Sequence, residues 1–226
     1  MESNISKKNL IKRIYTGLIL VILVFYIITQ GSNILLDFFL CIIFTSTMYE
    51  VILIVNKDRK KRTLIARLIW IIITMIYIGI AIYCFKSVIN SKSFPYPTFL
   101  LLSIWIFDTS AYFVGSFIGG PKLCSRISPK KTWSGLLGGM ITTFLFPIIY
   151  FLNDNSKSIS YLIKYGLIAT SSGLVGQFGD LLESWFKRKF GVKDSGSILP
   201  GHGGILDRLD SMLLASFHWY ILSYTQ

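Results

Sequence analysis

Side chains that could do chemistry are concentrated in residues 184–210, a stretch that lies between two strongly apolar segments. The stretch holds three carboxylates, five cations and one histidine: Asp194, Asp207, Asp210, Lys187, Arg188, Lys189, Lys193, Arg208 and His202. Ionisable groups are costly inside a membrane, so a membrane protein keeps this many together only where they meet water and a charged ligand. The stretch therefore indicates a water-facing site for a charged ligand.

Two carboxylates, Asp207 and Asp210, are three positions apart where the last apolar segment begins, so on a helix they share one face. A single carboxylate there could simply be a first-turn residue that the helix dipole favours. Two of them, beside a Gly-rich turn and Asp194, are more typical of a site for a hard cation. Mg²⁺ prefers oxygen ligands and leaves its remaining positions to water and substrate phosphates. The pattern therefore predicts that at least one of them binds a divalent metal.

Three polar residues precede this pair at helical spacing. Asp180, Ser184 and Lys187 are placed so that a helix would present them on one face. A solvated end of an amphipathic helix would show the same spacing. Because Asp180 falls where the sixth apolar segment ends, we expect the three residues to contribute to the site.

The turn at residues 200–204 has mostly glycines and few bulky side chains, and it leads into a helix start. The backbone N–H groups of Gly203 and Gly204 could therefore cradle phosphate oxygens. His202 could donate to a phosphate near neutral pH, or could simply bond to the backbone of its own turn. A Gly-rich turn is a weak signal alone, and the paired aspartates next to it strengthen it.

A second polar region lies upstream. Asp108 is well inside the fourth apolar segment, where a carboxylate costs about 2.5–3.5 kcal/mol and should face a cavity or a partner. Glu50, deep in the second apolar segment, could line a path for lipid. The loop after the fourth segment suits phosphate binding, although a positively charged loop on the cytoplasmic side would look similar. Its candidate ligands are Ser128, Lys130, Lys131 and Thr132.

The elements that must position these residues are membrane helices. Of the 226 residues, 53% are hydrophobic and only 15% are charged, and the mean hydropathy is +0.60. This composition predicts an all-α, polytopic transmembrane helix bundle that forms one domain over residues 1–226. Although the net charge is +12, the basic residues flank apolar spans and line no exposed stripe, which argues against nucleic acid. The three cysteines have no metal or disulfide spacing.

Seven apolar segments are candidate spans, each about 20 residues long: 14–30, 34–55, 64–85, 98–118, 133–152, 161–179 and 205–225. The sixth is rich in small residues, which predicts tight packing against other helices. Of the 23 lysines and arginines, 19 fall on the N-terminal side and in alternate loops, and 4 fall in the other set. The positive-inside rule then places the N-terminus in the cytoplasm and the C-terminus outside. It also puts both polar loops on the cytoplasmic side.

The spacings Ser-x-x-Lys-Arg-x₄-Lys-Asp and His-Gly-Gly-x-x-Asp-Arg-x-Asp, from Ser184 to Asp210, resemble the signature of the phosphatidate cytidylyltransferase (CDP-diacylglycerol synthase) family. Two upstream motifs are also similar to that family: Asp-x-x-Ala-Tyr at Asp108, and Ser-Pro-Lys-Lys-Thr-Trp at Ser128. Ser134 stands where the family commonly has Glu, which puts a role for that acidic group in doubt.

The resemblance implies the reaction of CTP with phosphatidate to give CDP-diacylglycerol and pyrophosphate. It implies Mg²⁺, with a second, monovalent cation such as K⁺, and a homodimer in the plasma (inner) membrane whose active site faces the cytoplasm. A phosphomonoester is already largely dianionic at neutral pH, so the attacking phosphate needs no general base. This agrees with the lack of a Ser-His-Asp or Cys-His arrangement in the sequence.

Roles carried over from the resemblance fall into three groups. We expect Mg²⁺ to be held by Asp180, Asp207 and Asp210. We expect the catalytic groups to be Lys187, Asp194, His202 and Arg208. We expect substrate to be bound by Asp108, Ser128, Lys130, Lys131, Thr132, Ser184, Arg188, Lys193, Gly203 and Gly204.

Two other functions fit parts of the sequence. One is a CTP-dependent enzyme that acts on another lipid phosphate or on a lipid alcohol. The other is a cation-coupled transporter, which would place carboxylates at mid-span on several helices. Here most carboxylates cluster at one predicted membrane level beside phosphate-type loops, which favours the enzyme.

Overall fold

The computed structural model describes residues 2–58, 62–91, 97–152, 154, 156–199 and 203–224, with only the backbone of residues 2–14 and 16. Within these ranges the chain forms seven helices and one small hairpin. In chain order they are α1 Glu2–Gln30, α2 Asn33–Asn56, α3 Leu64–Asn90, α4 Pro97–Ile118, β1 Lys122–Cys124, β2 Ser128–Thr132, α5 Trp133–Tyr150, α6 Ile159–Lys189 and α7 Leu206–Tyr224. The all-α membrane fold expected from composition is confirmed.

Four helices, α2 to α5, are long and apolar enough to cross a membrane, and the apolar part of α1, Gly17–Gln30, is shorter. Their large apolar side chains are exposed, as in Ile34, Phe117 and Ile149, which are 82%, 84% and 73% accessible. Surfaces of this kind suit contact with lipid tails. The chain is therefore a multi-pass membrane protein, while the count of seven spans and their orientation stay predictions.

The chain divides into two compact units, Met1–Ile82 with Phe186–Leu209, and Tyr83–Trp185 with Asp210–Gln226. The expected single domain is not tested by this division. In the first unit, the core includes Val51, Ile54 and Phe190, each at most 1% exposed. Trp70 of α3 packs against Phe186 and Phe190 near the end of α6, with ring centroids 6.1 and 6.0 Å away. The described part of this unit thus ties the end of α6 to α3.

In the second unit, small residues let helices approach closely. A Cβ added at Gly135 of α5 would lie 2.5 Å from the carbonyl oxygen of Ala111 in α4. The small residues of α6 behave in the same way: a Cβ at Gly179 would lie 2.5 Å from the carbonyl oxygen of Asp210 in α7, and one at Gly173 would overlap the ring of Phe107. The tight packing predicted for the sixth apolar segment is confirmed, because only glycine fits such approaches.

The polar loop between α4 and α5 forms an antiparallel hairpin, which the sequence did not indicate. Lys122 pairs with Thr132 and Cys124 with Ser128. A two-stranded hairpin is marginal alone, and here α4 and α5 anchor its two ends. Gly119 and Gly120, with φ of 68° and 101°, turn the chain out of α4 into β1.

Helix α6 continues ten residues past the predicted end of its span, to Lys189. The helical geometry assumed for residues 180–190 is therefore confirmed as far as Lys189, and Phe190 lies in a turn. Its last turn carries Lys187, Arg188 and Lys189, cations that are favoured at a helix C-terminus by the helix dipole.

Candidate active site

Three carboxylates converge in the second unit. One oxygen from each of Asp180 and Glu183 in α6 and Asp210 in α7 lies within 4.8 Å of the other two. The close approach of α7 at Gly179 brings Asp210 beside the acidic turn of α6. Within the described residues this is the one group of three potential metal ligands. An all-oxygen set of this size fits a hard cation such as Mg²⁺.

A lysine from the hairpin lies against this group. The Nζ of Lys131 is 2.5 Å from Oδ2 of Asp180, and the two side chains are 17% and 27% exposed. The hydroxyl of Ser184 donates to the other oxygen of Asp180 at 3.2 Å. The hairpin therefore supplies a cation to the acidic group.

Asp108 lies on α4 in the same unit and accepts a hydrogen bond of 3.2 Å from the hydroxyl of Ser211 in α7. Ser211 directly follows Asp210, and its amide donates to Oδ1 of Asp210 at 2.8 Å. Asp108, which lies inside the fourth apolar segment, thus has Ser211 as a polar partner, as expected for a carboxylate at that depth.

Thr132, a predicted substrate ligand, is buried and caps α5. Its Oγ1 accepts the N–H of Gly135 at 3.1 Å, which satisfies one of the amides that a helix start leaves unpaired. The same hydroxyl is 3.0 Å from the Oγ of Ser134, which in turn donates to the carbonyl of Gly119. Ser134 therefore ties the start of α5 to the end of α4.

A second ionic cluster lies in the first unit. The Nζ of Lys187, at the end of α6, is 2.5 Å from Oδ1 of Asp207 in the first turn of α7, and the two side chains are 9% and 12% exposed. Asp207 also accepts the N–H of Ser195 at 3.0 Å and that of Gly204 at 3.2 Å. Its carboxylate is thus held by one cation and two amides of its own chain.

The remaining predicted residues are mostly at the surface. Lys130, Arg188, Lys193, Asp194 and Arg208 are exposed, and Ser128 and Gly203 are half-buried. Arg188 donates to the carbonyl of Val192 at 2.9 Å. His202 lies outside the described residues. Their roles in binding a substrate stay predictions.

The predicted metal ligands divide between the two units. Asp180 and Asp210 come together, and the third carboxylate beside them is Glu183, which the sequence reasoning did not include among the ligands. Its position one helical turn after Asp180 is the signal that could have identified it. The structure places Asp207 on Lys187 instead, so a metal role for Asp207 stays a prediction. The amide of Gly204 is likewise engaged by Asp207, and its phosphate role stays a prediction.

Comparison with known proteins agrees with these features. The profile of the cytidylyltransferase family matches residues 65–225. This range begins in α3 and includes both clusters described above.

Curated relatives carry a more specific name. The chain is 43% identical to a phosphatidate cytidylyltransferase of Staphylococcus haemolyticus over 143 residues, which are 63% of this chain and 54% of that relative. It is 43% identical over 144 residues to the protein of that name from Staphylococcus aureus (strain COL), with coverage of 63% and 54%. A Staphylococcus saprophyticus protein of that name is 41% identical over 143 residues, with the same coverage. The chain thus spans about half the length of the curated relatives it matches.

Proposed function

The chain belongs to the cytidylyltransferase family, and from that premise we propose that it transfers CMP from CTP to phosphatidate, giving CDP-diacylglycerol and pyrophosphate. The observation that carries the proposal is the group of Asp180, Glu183 and Asp210 with Lys131 against it. Carboxylates that bind a cation, next to lysines from a polar hairpin, are the groups that a polyphosphate substrate needs. The relatives are named phosphatidate cytidylyltransferases, which supports the choice of lipid acceptor.

We propose Asp180, Glu183 and Asp210 as the carboxylates that would hold Mg²⁺. Their oxygen ligands and mutual distances suit this ion. Bound there, Mg²⁺ would neutralise charge on the phosphates of CTP and on the departing pyrophosphate. Asp207 remains a further candidate ligand, and a second, monovalent cation such as K⁺ is part of the proposal.

The chain's own residues act by positioning and by charge. A non-bridging oxygen of the phosphatidate phosphate forms a bond to the α-phosphorus of CTP, and the bond from that phosphorus to the α,β-bridging oxygen breaks. Pyrophosphate leaves with the electron pair. Because the attacking phosphomonoester is already largely dianionic, no side chain has to remove a proton. The barrier arises from bringing two polyanions together. Cations held in the right orientation lower this barrier.

The cations divide into two sets. On the hairpin, Lys131 beside Asp180 and the exposed Lys130 would bind the triphosphate, with Ser128 and Asp108 on the same wall. The second set lies near the end of α6 and the start of α7, where Lys187, Arg188, Lys193 and Arg208 would bind the triphosphate or the lipid phosphate. The other residues proposed to act on substrate are Ser184 in the second unit, and Asp194, His202, Gly203 and Gly204 in the first.

The proposed location is the plasma (inner) membrane, with the site facing the cytoplasm where CTP is found. The placement of 19 of the 23 basic residues on one predicted side supports this orientation. Phosphatidate would keep its acyl chains in the bilayer while its head group reaches the site. A homodimer is also proposed, from the family resemblance alone.

Incorporation of radiolabelled CTP into lipid by the purified full chain tests the proposal. Activity should require phosphatidate, stop in excess EDTA and return with Mg²⁺. Asp210→Asn should abolish it, whereas Asp154→Asn, at an exposed carboxylate in the loop after α5, should not. Label transfer to an isoprenoid or ether-lipid acceptor in preference to phosphatidate would replace the proposed substrate. No transfer to any lipid acceptor would overturn the reaction.

A further inference from the structure

Glu50 is a carboxylate buried within a candidate membrane span. It lies in α2, six residues before the helix ends at Asn56, and its accessibility is 0%. That position is about 9 Å along the axis from the end of the helix, at 1.5 Å per residue. An acidic side chain at such depth is expensive unless its oxygens are fully engaged. Its partners therefore indicate why it is there.

Among the described residues, three donors meet this carboxylate: two lie between α6 and α7, and the third is the first residue of α7. Oε2 accepts from the hydroxyl of Ser195 at 2.9 Å and from the N–H of Leu206 at 2.9 Å. Oε1 accepts from the N–H of Ile205 at 2.9 Å. These distances are those of good hydrogen bonds. Glu50 thus joins both ends of the turn segment, by which we mean residues 195–199 and 203–206.

The contact replaces an ordinary helix cap. Leu206 is the first residue of α7, and the residues just before it, Gly203 to Ile205, have no side chain that could cap the helix. A helix start leaves its first amides unpaired, and an anion there is favoured by the dipole. Glu50 supplies that anion from a different helix.

Glycines make room for this arrangement. A Cβ at Gly196 would lie 2.7 Å from Oε1 of Glu50, and a Cβ at Gly204 would lie 2.6 Å from Oε2. Real Cβ contacts are essentially never this short, so the backbone can surround the carboxylate only where it has no side chain. The approach of Glu50 thus accounts for Gly196 and, together with the still closer hydroxyl of Ser195, for Gly204.

Ser195 links Glu50 to the ionic cluster of the same unit. Its hydroxyl donates to Glu50, and its amide donates to Asp207 at 3.0 Å. Asp207 in turn pairs with Lys187 at 2.5 Å. A continuous series of contacts therefore runs from the buried carboxylate to the cation that ends α6.

We propose that Glu50 is a positioning residue, whose carboxylate holds the turn segment and the first turn of α7 so that Lys187 and Asp207 keep their ion pair. The expected effect of Glu50 on turnover rests on the proposed function, whereas its expected effect on structure does not. Glu50 touches no reacting atom in this scheme and acts through Ser195 and the amides of Ile205 and Leu206.

The structural half is tested by hydrogen exchange on the full chain in detergent. Glu50→Gln keeps the shape of the side chain but brings an NH₂ group against donors. We expect exchange in peptides covering residues 193–209 to rise about tenfold, since their amides lose an acceptor. The matched control is Asp37→Asn, at an exposed carboxylate on the same helix, which should leave these peptides unchanged. Unchanged exchange in Glu50→Gln would overturn the proposal.

The functional half is a double-mutant cycle. Glu50→Gln should lower kcat for CTP incorporation about tenfold or more, and adding Ser195→Ala should cost little beyond that, because the hydroxyl has already lost its partner. When Asp37→Asn is combined with Ser195→Ala, the fold-change in kcat should equal the product of the fold-changes of the two single variants. Ser195→Thr, which keeps the hydroxyl, should restore activity relative to Ser195→Ala. A purely structural Glu50 would reduce only the amount of folded protein, with kcat per folded molecule unchanged.

The two proposals fail in different ways. If the wild-type chain transfers no CMP to lipid, the proposed function is wrong, and the exchange experiment still decides the role of Glu50. If the wild-type chain is active and Glu50→Gln keeps wild-type kcat and exchange, the positioning role is wrong. Should Glu50→Gln fail to fold, Ser195→Ala removes one of the three donors, and wild-type kcat per folded molecule in that variant would contradict the proposal.

Discussion

Lys187 and Asp207 form a nearly buried ion pair, with Nζ and Oδ1 2.5 Å apart. The sequence predicts a catalytic role for the lysine and a metal role for the aspartate, and the pair satisfies the charge of both within the protein. Removing one partner of a buried pair leaves an uncompensated charge, which costs far more than removing both. The pair is therefore expected to behave as a unit.

Lys187→Met and Asp207→Asn should each lower the free energy of unfolding by about 3–5 kcal/mol, and the double variant should lose less than the sum. Tryptophan fluorescence during unfolding in detergent measures this. Lys193→Met, at an exposed lysine in the same unit, serves as the control and should change stability little. Additive losses would contradict the coupling. Asp207→Asn should also abolish Mg²⁺-dependent turnover while the protein still inserts.

The acidic group of α6 and α7 predicts opposite effects on metal binding and on stability. In Asp210→Asn, one of three neighbouring carboxylates is neutralised, so the unfolding temperature in EDTA should be at least as high as that of the wild type. Mg²⁺ should raise the unfolding temperature of the wild type but not of the variant, because only the wild type binds it.

Asp154→Asn is the matched control for this experiment and should keep the full response to Mg²⁺. A variant that still gains stability from Mg²⁺ would remove Asp210 from the proposed ligands. The same titration on Glu183→Gln decides whether this additional carboxylate is a ligand.

Thr132 caps α5 and is also a predicted substrate ligand, and two substitutions separate these roles. Thr132→Ala should destabilise the protein by about 1 kcal/mol, since the N–H of Gly135 loses its acceptor. Thr132→Ser keeps the oxygen and should keep both stability and the KM for CTP. Thermal unfolding measures the stability, and the CTP assay measures the KM for CTP. Wild-type stability in Thr132→Ala would contradict the capping role.

Glycine-to-alanine changes in two helices should have opposite signs. Gly135→Ala puts a methyl group 2.5 Å from the carbonyl of Ala111 and should destabilise the protein by about 2 kcal/mol or more, because α4 and α5 must separate. In Gly79→Ala, the new methyl group in α3 would lie an ordinary 3.9 Å from Phe44. This variant should therefore stabilise the protein by up to about 1 kcal/mol. Thermal unfolding of both variants in one detergent makes the comparison. Equal effects would show that helix propensity, and not the close approach, sets the outcome.

Several features could be predicted from residue type and spacing because their causes are local. Long apolar runs have to become membrane helices, since unpaired backbone groups are too costly in lipid. Small residues in the sixth segment indicate close packing, and glycines 173 and 179 show it. The spacing of Asp180 and Ser184 also predicts that they share one face of a helix, and in the structure they are hydrogen-bonded.

The hairpin at residues 122–132 could not be predicted in this way. A two-stranded hairpin has little intrinsic stability, and its charged strands show no alternating apolar pattern. It forms because α4 and α5 pack closely and fix the distance between its ends. That placement brings Lys131 to Asp180, a contact between residues 49 positions apart in the chain.

From its residue pattern alone, this chain can be identified as an all-α membrane protein, and a site for a polyanionic substrate and a cation can be predicted, because periodicity, composition and motif spacing are local properties. Which carboxylates share a site, and which only support it, depended on the tertiary structure. Asp210 lies with Glu183, Asp207 lies with Lys187, and Glu50 caps a helix that starts 156 residues later. The physical reason is that a buried charge takes the partners that packing brings within hydrogen-bonding distance, and packing depends on contacts far apart in the chain.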